Sequence, residues 1–122
     1  MQPDSPGEIV FTIKEYLKEI RKTPLLTVDQ EIELVRRISK GDEFARIKLF
    51  EANRRIVVAI GKKYIIRDLR SFADIIEVGN MGLIIAIEKY QSERGFKFST
   101  YAAWWIKKTI EQAIAHPAGL TF

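Results

Sequence analysis

The chain has 122 residues, with no cysteine, one histidine and 47% hydrophobic residues, a composition that fits one domain with a modest core. The missing cysteines exclude a disulfide framework and a thiolate nucleophile, and one histidine supplies no ligand set for structural zinc. The net charge of +4 is uneven, because residues 1–60 carry eleven basic and ten acidic side chains and residues 61–122 carry nine and six, so the second half is the better anion binder.

The longest apolar runs, such as the segment MGLIIAI, are far shorter than the roughly 20 residues that a membrane-spanning helix needs. The N-terminal segment MQPDSPGE lacks the basic and then apolar plan of a signal peptide. We therefore expect a cytoplasmic protein that does not bind a membrane.

Helical periodicity recurs along the chain, and no stretch shows the strict alternation of a half-buried strand. We therefore predict an all-α fold, a compact bundle of four or five helices. Residues 1–9 form a flexible head in this prediction. The segment TIKEYLKEIRK then predicts a first helix from about residue 10 to residue 22, which ends before Pro24 because proline disfavours helical geometry in the preceding residue.

The second and third helices are marked by their caps. Thr27, with Gln30 three residues later, is a capping-box pattern, and Gly41 ends the helix that it starts. Asp42 then caps a third helix, which we predict to be continuous through the segment FARIKLFEANRRIVVAIGKKYI. The segment RDLRS is the break after it.

The last two helices follow this break. Ser71 opens the fourth helix, which we expect to reach about Tyr90, before the turn QSERG. Ser99 or Thr100 opens the fifth helix, which we expect to reach Ala115.

Projected at about 100° per residue, the fifth helix has two unlike faces. Small and aliphatic residues form a complete core stripe on one face: Ala102, Ala103, Ile106, Ile110, Ala113 and Ile114. The opposite face carries the largest hydrophobic residues among polar and charged ones: Tyr101, Trp104, Trp105, Lys108, Glu111 and Gln112. Core packing requires the reverse arrangement, so we interpret the second face as an exposed surface that has a partner.

Single-stranded nucleic acid suits this surface, because every base has a π face and stacking on an aromatic side chain is worth roughly 1–3 kcal/mol. The adjacent Trp104 and Trp105 also suit a wedge that enters a duplex in place of an extruded base. Packing of the aromatic residues in the core is the alternative interpretation. Four nearby cations are candidates for neutralising phosphates: Arg94, Lys97, Lys107 and Lys108.

The fourth helix predicts a second surface. Its expected buried face consists of Phe72, Ile75, Ile76, Gly79, Leu83, Ala86, Ile87 and Tyr90, and Gly79 and Gly82 allow a neighbouring helix to approach closely. Its expected outer face mixes acidic, polar and apolar residues: Asp74, Glu77, Val78, Asn80, Met81, Ile84, Ile85 and Glu88. Acidic residues around an apolar strip indicate an interface with a basic protein partner. The alternative is a helix that is buried on both sides.

Three segments, EANRRIVVAIGKKY, DIIEVGNMGLIIAIEKY and RGFKFSTYAAWWIKKTIEQAIA, closely resemble the core of bacterial housekeeping-class sigma factors, the promoter-specificity subunits of RNA polymerase. The resemblance runs from about Thr12 to Ala115. It divides a single helical domain, residues 10–115, into parts that are similar to the family's regions: 10–26 (region 1.2), 27–70 (region 2.1), 71–93 (region 2.2) and 94–115 (regions 2.3 and 2.4), followed by a tail, 116–122.

The resemblance implies a domain that docks on the bacterial RNA polymerase core, at the coiled coil of the largest catalytic subunit. It also implies capture of the non-template strand of the minus-ten promoter element as the duplex melts. An anti-sigma factor is a further candidate partner. The phosphodiester chemistry would belong to the polymerase, so we expect no enzyme activity, cofactor or metal in this chain. The positions that match the family's docking motif are Asp74, Glu77, Asn80 and Ile84.

For promoter DNA, the resemblance implies that Tyr101, with Arg94 and Thr100, holds the flipped adenine of the minus-ten element. It implies that Trp104 and Trp105 form the wedge at the upstream edge of the bubble. Further contacts are implied on both sides: Phe96 and Phe98 beside the wedge, and Asn53, Ile56, Lys62 and Lys63 at the downstream base pocket and the strand backbone.

The chain departs from the family pattern at two places. Glu77 and Val78 stand where the family usually has Gln and Glu, which moves the acid about 100° around the helix and is expected to weaken or retune docking. Lys108 and Glu111 stand where the family commonly has Gln and Thr, two residues that read the first base pair of the element. Since Lys can contact guanine and Glu can accept from cytosine, we predict an altered or relaxed preference there.

The chain stops at Phe122, before the family's later domains, which fits either an excised segment of a longer sigma factor or a natural truncated relative. The leading hypothesis is a promoter-melting module. One alternative is a truncated sigma-like protein that occupies core polymerase as a decoy or regulator without reading promoters. Another is a general single-strand binder that needs no polymerase. His116 is interpreted as a surface side chain rather than a general base.

Overall fold

A computed structural model describes residues 6–65, 71–92 and 95–116 of the chain, with side chains from residue 14 onward. Within these residues the chain forms α-helices and no strand, so the predicted all-α fold is confirmed. The helices are α1 (Pro6–Lys22), α2 (Val28–Ser39), α3 (Glu43–Ala52), α4 (Arg54–Ile65), α5 (Phe72–Lys89) and α6 (Phe98–Ala115).

Three predicted helix caps are confirmed. The Thr27 hydroxyl accepts a hydrogen bond from the Gln30 N–H at 3.1 Å, and the Gln30 side chain accepts one from the Thr27 N–H at 2.9 Å, which completes the capping box of α2. Asp42 caps α3 and Ser71 caps α5 in the same way, each accepting from a backbone N–H three residues on.

The start of α1 differs from the prediction. The helix begins at Pro6 and so includes residues 6–9 of the predicted head. Proline suits the first helical position, because the N–H there has no partner within the helix and the fixed φ of proline is helical. Residues 1–5, 66–70, 93–94 and 117–122 lie outside the described residues, and with them most of the predicted break RDLRS and part of the turn QSERG.

The predicted third helix is two helices, α3 and α4, separated at Asn53. The Asn53 side chain is buried, and its amide nitrogen donates to the carbonyl of Leu49 at 2.8 Å, while its backbone N–H bonds to the carbonyl of Phe50 at 3.1 Å. Asparagine side chains compete in this way with the helical backbone, which explains the interruption. The prediction of one continuous helix was therefore wrong, and the described residues form six helices where four or five were expected.

The pair of α5 and α6 forms the centre of the bundle, and Gly82 sets its spacing. A Cβ placed on Gly82 would lie 2.8 Å from the Trp105 carbonyl oxygen and 2.9 Å from the Ile106 Cα, both backbone atoms. A Cβ on Gly79 would lie 2.8 Å from a Val57 methyl group of α4. The predicted close approach at both glycines is therefore confirmed.

The core stripe of α6 is confirmed in outline and corrected in detail. Its fully buried members are Ala102, Ile106, Thr109, Ile110 and Ala113, whereas Ala103 and Ile114 are only half-buried. Thr109 was not expected there. Its hydroxyl bonds back to the carbonyls of Trp105 and Ile106 at 3.1 and 3.0 Å, so the buried hydroxyl has partners within its own helix.

The start of α6 also differs from the prediction. The helix begins at Phe98, and its N-cap residue, Lys97, makes no side-chain cap. The Glu31 carboxylate of α2 lies near the backbone N–H groups of Phe98 and Ser99, and these groups act to lower its pKa. A contact that comes from another helix leaves no local sequence signal, so the sequence pointed to Ser99 or Thr100.

Candidate nucleic-acid interface

Two tryptophan side chains meet at a right angle on the outer side of α6. The ring centroids of Trp104 and Trp105 are 5.2 Å apart and the ring planes are inclined at 87°. Trp104 is 55% exposed, which is a large apolar surface to leave in water, whereas Trp105 is half-buried. The prediction of an exposed aromatic face is therefore confirmed for Trp104. Trp105 is less exposed than predicted, because it is half-buried.

Cations lie over both indole rings. The Lys108 ammonium is 4.8 Å from the Trp104 ring centroid and 5.0 Å from that of Trp105. Lys89, at the end of α5, lies 6.0 Å from the Trp105 centroid. The Trp105 Nε1 atom is buried without a hydrogen-bond partner among the described residues. Two lysine ammonium groups thus lie near the Trp105 ring, and Trp104 remains the more exposed of the two indoles.

A surface groove runs beside Trp104 along the last turns of α6. It is lined by Trp104, Lys107, Lys108, Glu111, Gln112, Ala115 and His116. Glu111 is exposed, and its carboxylate accepts a hydrogen bond from the Tyr64 hydroxyl of α4 at 2.8 Å. The groove therefore combines an indole wall with cationic and polar side chains, which suits a nucleotide.

A second aromatic cluster surrounds the start of α6. The Phe96 and Tyr101 rings stack with centroids 5.6 Å apart and planes inclined at 26°, and the Tyr90 ring packs against both at 6.3 and 5.6 Å. The Tyr90 hydroxyl donates to the Phe96 carbonyl at 2.5 Å, which ties the loop to the end of α5. Phe96 is 41% exposed and Tyr101 is half-buried, so this cluster also presents aromatic surface.

Phe98 does not share this exposure. It is 1% exposed and packs edge-on against Tyr90, with centroids 5.3 Å apart. The implied position beside the wedge, on the DNA-facing surface, is corrected, because the first turn of α6 directs Phe98 into the core. Phe98 therefore contacts the cluster from its buried side, through Tyr90.

Two of the three polar residues implied near this cluster belong to the part of the chain that the structure describes. Thr100 and Lys97 are exposed beside Tyr101, as expected, whereas Arg94 lies outside the described residues. Glu31 is opposite Lys97. Burial raises the pKa of the Glu31 carboxyl above its ordinary value. The positive charge of Lys97 and the nearby backbone N–H groups of Ser99 and Phe98 act in the opposite direction, but burial has the larger effect.

The residues implied for a downstream base pocket are less accessible. Asn53 is 5% exposed and its amide is engaged within the chain, and Ile56 is half-buried against the core. Lys62 and Lys63 are exposed on the last turn of α4. Only the two lysines therefore present their side chains freely at this surface.

The outer face of α5 is narrower than expected. Asp74 and Glu77 are exposed, Ile84 is 50% exposed and Met81 is 37% exposed. Val78, expected on this face, is 2% exposed, because α5 packs between α4 and α6 and only a strip between them remains open. The prediction for Val78 was wrong.

Asn80 lies at the edge of the same strip. It is half-buried, and its side-chain oxygen is buried without a hydrogen-bond partner among the described residues. The strip of Asp74, Glu77, Met81 and Ile84 thus joins acidic and apolar groups, with one unsatisfied amide beside it.

Sequence reasoning missed three residues of these surfaces. Tyr90 was assigned to the buried face of α5, and its proximity to Phe96 and Tyr101 depends on the path of the loop between the helices. Glu31 and Lys89 reach α6 from other helices. A basic residue in the last turn of α5 was a weak signal for Lys89, and no local signal exists for the other two.

A helical bundle that presents paired indoles on α6, an aromatic cluster at the start of α6 and several exposed lysines has the features of a nucleic-acid-binding module. Comparison with known proteins defines the module further. Residues 49–116 match Sigma-70 region 2, and residues 12–44 match Sigma-70 factor, region 1.2. The chain therefore belongs to the sigma-70 family, and the resemblance read from its sequence is confirmed.

Known relatives agree with this assignment. The chain is 54% identical over 114 residues to RNA polymerase sigma factor SigA of Bacillus sp, covering 93% of the chain and 30% of the relative. It is 54% identical over 106 residues to SigA of Clostridium acetobutylicum, covering 87% and 28%, and 52% identical over 99 residues to RpoS of Coxiella burnetii, covering 81% and 28%. The chain thus spans less than a third of the length of these relatives.

None of the described helices combines the length and the apolar character needed to cross a bilayer. Within the same part of the chain, no three His, Cys, Asp or Glu side chains come together as a metal-binding group.

Proposed function

We propose that this chain is the promoter-melting module of a sigma factor. In this proposal it docks on core RNA polymerase in the cytoplasm and holds flipped bases of the non-template strand of the minus-ten element during transcription initiation. Membership of the sigma-70 family and the names of the relatives, which are sigma factors of RNA polymerase, support the proposal.

The observation that carries the proposal is the exposed indole of Trp104, set among lysines on α6. An aromatic side chain that is 55% exposed beside Lys108 offers a stacking surface and a positive charge together. Stacking contributes roughly 1–3 kcal/mol per base, and the lysines neutralise phosphates. In the proposal, Trp104 and Trp105 form the wedge at the upstream edge of the bubble.

The cluster of Tyr90, Phe96 and Tyr101 is proposed to hold the flipped adenine, together with Thr100. The ring centroids of the cluster lie 5.6 to 6.3 Å apart, and the ring planes are inclined to one another. A base could therefore stack on the face of one ring and contact the edge of another. Arg94 and Lys97 are proposed to act on the phosphates, and Lys62 and Lys63 on the strand backbone further along.

The open strip of α5 is proposed as the docking surface for the polymerase coiled coil. Asp74 and Glu77 supply negative charge, and Met81 and Ile84 supply exposed apolar area. The unsatisfied side-chain oxygen of Asn80 suits a donor from the partner. The family usually has its acidic residue at the position of Val78, which is buried here. We propose that the exposed Glu77 supplies the negative charge in its place.

Two binding experiments test the proposal. A labelled single strand with the minus-ten sequence is titrated with the parent chain and with Tyr101→Ala, and the variant is expected to bind more weakly. Core polymerase is titrated with Ile84→Ser, which is expected to lower affinity, and with Leu25→Ser as a control. Leu25 is 69% exposed on the loop between α1 and α2, so its substitution removes a similar apolar group elsewhere.

The decoy alternative is not favoured, because the aromatic surface needed for strand binding is present and open at Trp104. A decoy would bind core polymerase and show no affinity for the strand in the first titration. A general single-strand binder would hold a scrambled strand as tightly as the minus-ten sequence.

A further inference from the structure

The two residues that the resemblance assigns to reading the first base pair both have partners inside this protein. The Lys108 ammonium lies within 5.0 Å of the centroids of both indole rings. The Glu111 carboxylate accepts from the Tyr64 hydroxyl at 2.8 Å. A base edge would have to compete with these contacts before either side chain could read it.

Helix geometry explains where Lys108 lies. Residues three and four positions apart are neighbours on a helix surface, and Lys108 follows Trp105 by three residues and Trp104 by four. The two ring planes are inclined at 87°, so the rings form a corner, and the ammonium faces both of them. A cation over an indole face is attracted by the ring quadrupole, and here one cation is attracted by two rings.

The attraction restrains the two indoles unequally. Trp105 is half-buried and is also covered by Lys89 from α5, at 6.0 Å. Trp104 is 55% exposed, and Lys108 is the cation that lies over it among the ring contacts of the described residues. The orientation of Trp104, the more open stacking surface, therefore depends more on Lys108 than that of Trp105 does.

We propose that Lys108 is a positioning residue, which holds the two indoles at a right angle for stacking, and that it does not read the base pair. This inference rests on the proposed function, because the orientation of Trp104 serves the stacking of a base. Loss of Lys108 then weakens binding by the same factor for every base pair at the junction. Cation–π contacts at exposed sites correspond to a change of about two- to fivefold in affinity.

The first test uses the free protein. Trp104 and Trp105 are the two tryptophans of the chain, so each gives one indole N–H signal in a ¹⁵N–¹H spectrum. Lys108→Gln is expected to shift both signals, and that of Trp104 further, because Lys89 remains over Trp105. Lys108→Arg is expected to restore the parent positions, since a guanidinium also stacks on aromatic rings.

Lys107→Gln is the matched control. It removes the same charge from an exposed neighbour on the same helix, and the indole signals are expected to stay in place. Unchanged indole signals in Lys108→Gln, or equal shifts in the control, would overturn the proposal before any DNA is added.

The second test measures binding to a fork, a short duplex that continues into a single minus-ten strand. Four forks carry the four base pairs at the junction, and each is titrated with the parent, Lys108→Gln and Lys108→Arg in the presence of core polymerase. The expected result is a uniform loss of about two- to fivefold for Lys108→Gln and recovery for Lys108→Arg. A loss confined to one base pair would show that Lys108 reads that pair.

The two proposals fail in different ways. If Trp104→Ala binds the forks as well as the parent does, the proposed function is wrong, whatever the indole signals show. If Trp104→Ala loses binding while Lys108→Gln keeps both the signals and the affinity, the function stands and the positioning role of Lys108 is wrong.

Discussion

On one face of α6, Ala102, Ile106 and Ile110 are completely buried, and the lack of a side chain at Gly82 allows α5 to approach closely. On the other face, Trp104 is 55% exposed and Lys108 lies over its ring. Trp104, which could bury a large apolar area, is therefore kept out of the core. Since the small and aliphatic face already satisfies the fold, the aromatic face is free to serve binding.

This division predicts that substitutions on the two faces have separable effects. Changes on the core side of α6 are expected to lower the free energy of unfolding and to reduce binding only through loss of the folded state. Changes on the outer side are expected to reduce binding while the free energy of unfolding stays close to that of the parent.

The largest effect is expected for Phe98→Ala. Phe98 is 1% exposed, so the variant loses its burial and leaves a cavity, and the free energy of unfolding is expected to fall by about 3–5 kcal/mol. Urea denaturation followed by circular dichroism measures this. Phe96→Ala, two residues away and 41% exposed in the parent, is the control and should cost about 1 kcal/mol or less. Equal losses for the two variants would contradict the assignment of Phe98 to the core.

The next largest effect on stability is expected for Gly82→Ala. The added methyl group meets backbone atoms of Trp105 and Ile106 at 2.8 and 2.9 Å, and α5 and α6 must separate to accept it. Overpacking of this kind costs about 1–3 kcal/mol.

Gly61→Ala is the matched control for Gly82. Its Cβ would meet side-chain methyl groups of Ile75 and Ile76, at 3.2 and 3.3 Å, and no backbone atom of another helix within 4 Å, and alanine has the higher helix propensity. Thermal unfolding should therefore show a lower midpoint for Gly82→Ala than for Gly61→Ala. The reverse order would mean that α5 and α6 are not in contact at Gly82.

Trp104→Ala tests the outer face. Loss of one stacking partner corresponds to about 1–3 kcal/mol, or roughly a five- to 150-fold weaker affinity for the minus-ten strand. The free energy of unfolding should stay within about 0.5 kcal/mol of the parent, because the side chain is largely exposed. Phe44→Ala, at a residue 77% exposed on α3, is the control and should leave strand affinity unchanged. A stability loss in Trp104→Ala as large as that of Phe98→Ala would remove the distinction between the faces.

The smallest effect concerns pH and the start of α6. Burial raises the pKa of Glu31 above 4.5, so the folded chain binds this proton more readily than the unfolded chain does. The stability that protonation of this group contributes is complete below pH 4.5 and is lost as the pH rises through the folded-state pKa. Glu31→Gln should remove this component, which urea denaturation of both proteins between pH 4 and pH 7 would detect. An identical pH dependence in the two proteins would contradict the burial of Glu31.

The sequence was informative where the signal is local. Thr27 with Gln30, Asp42 and Ser71 act within one turn of their own helix, and the structure has the caps that they predict. The core stripe of α6 and the close approach at Gly82 follow from helical spacing, which is also local.

The sequence was less informative where another element decides the outcome. The burial of Val78 results from the packing of α5 between α4 and α6, and the contact at the start of α6 comes from Glu31 of α2. The interruption at Asn53 is local, but a buried side-chain hydrogen bond decides it, and periodicity alone does not reveal that bond. The two indoles were equivalent in the sequence, and the structure distinguishes them by the partial burial of Trp105 and by the nearby Lys89.

The most direct measurement is a fluorescence titration of the parent chain with a single strand that carries the minus-ten sequence, and with the same strand in which the flipped adenine is replaced. The emission comes from Trp104 and Trp105, the two tryptophans of the chain, so it reports on the proposed wedge. We expect an emission change with the first strand and a clearly weaker affinity for the second. An unchanged emission with both strands, or equal affinity for both, would contradict the proposed function.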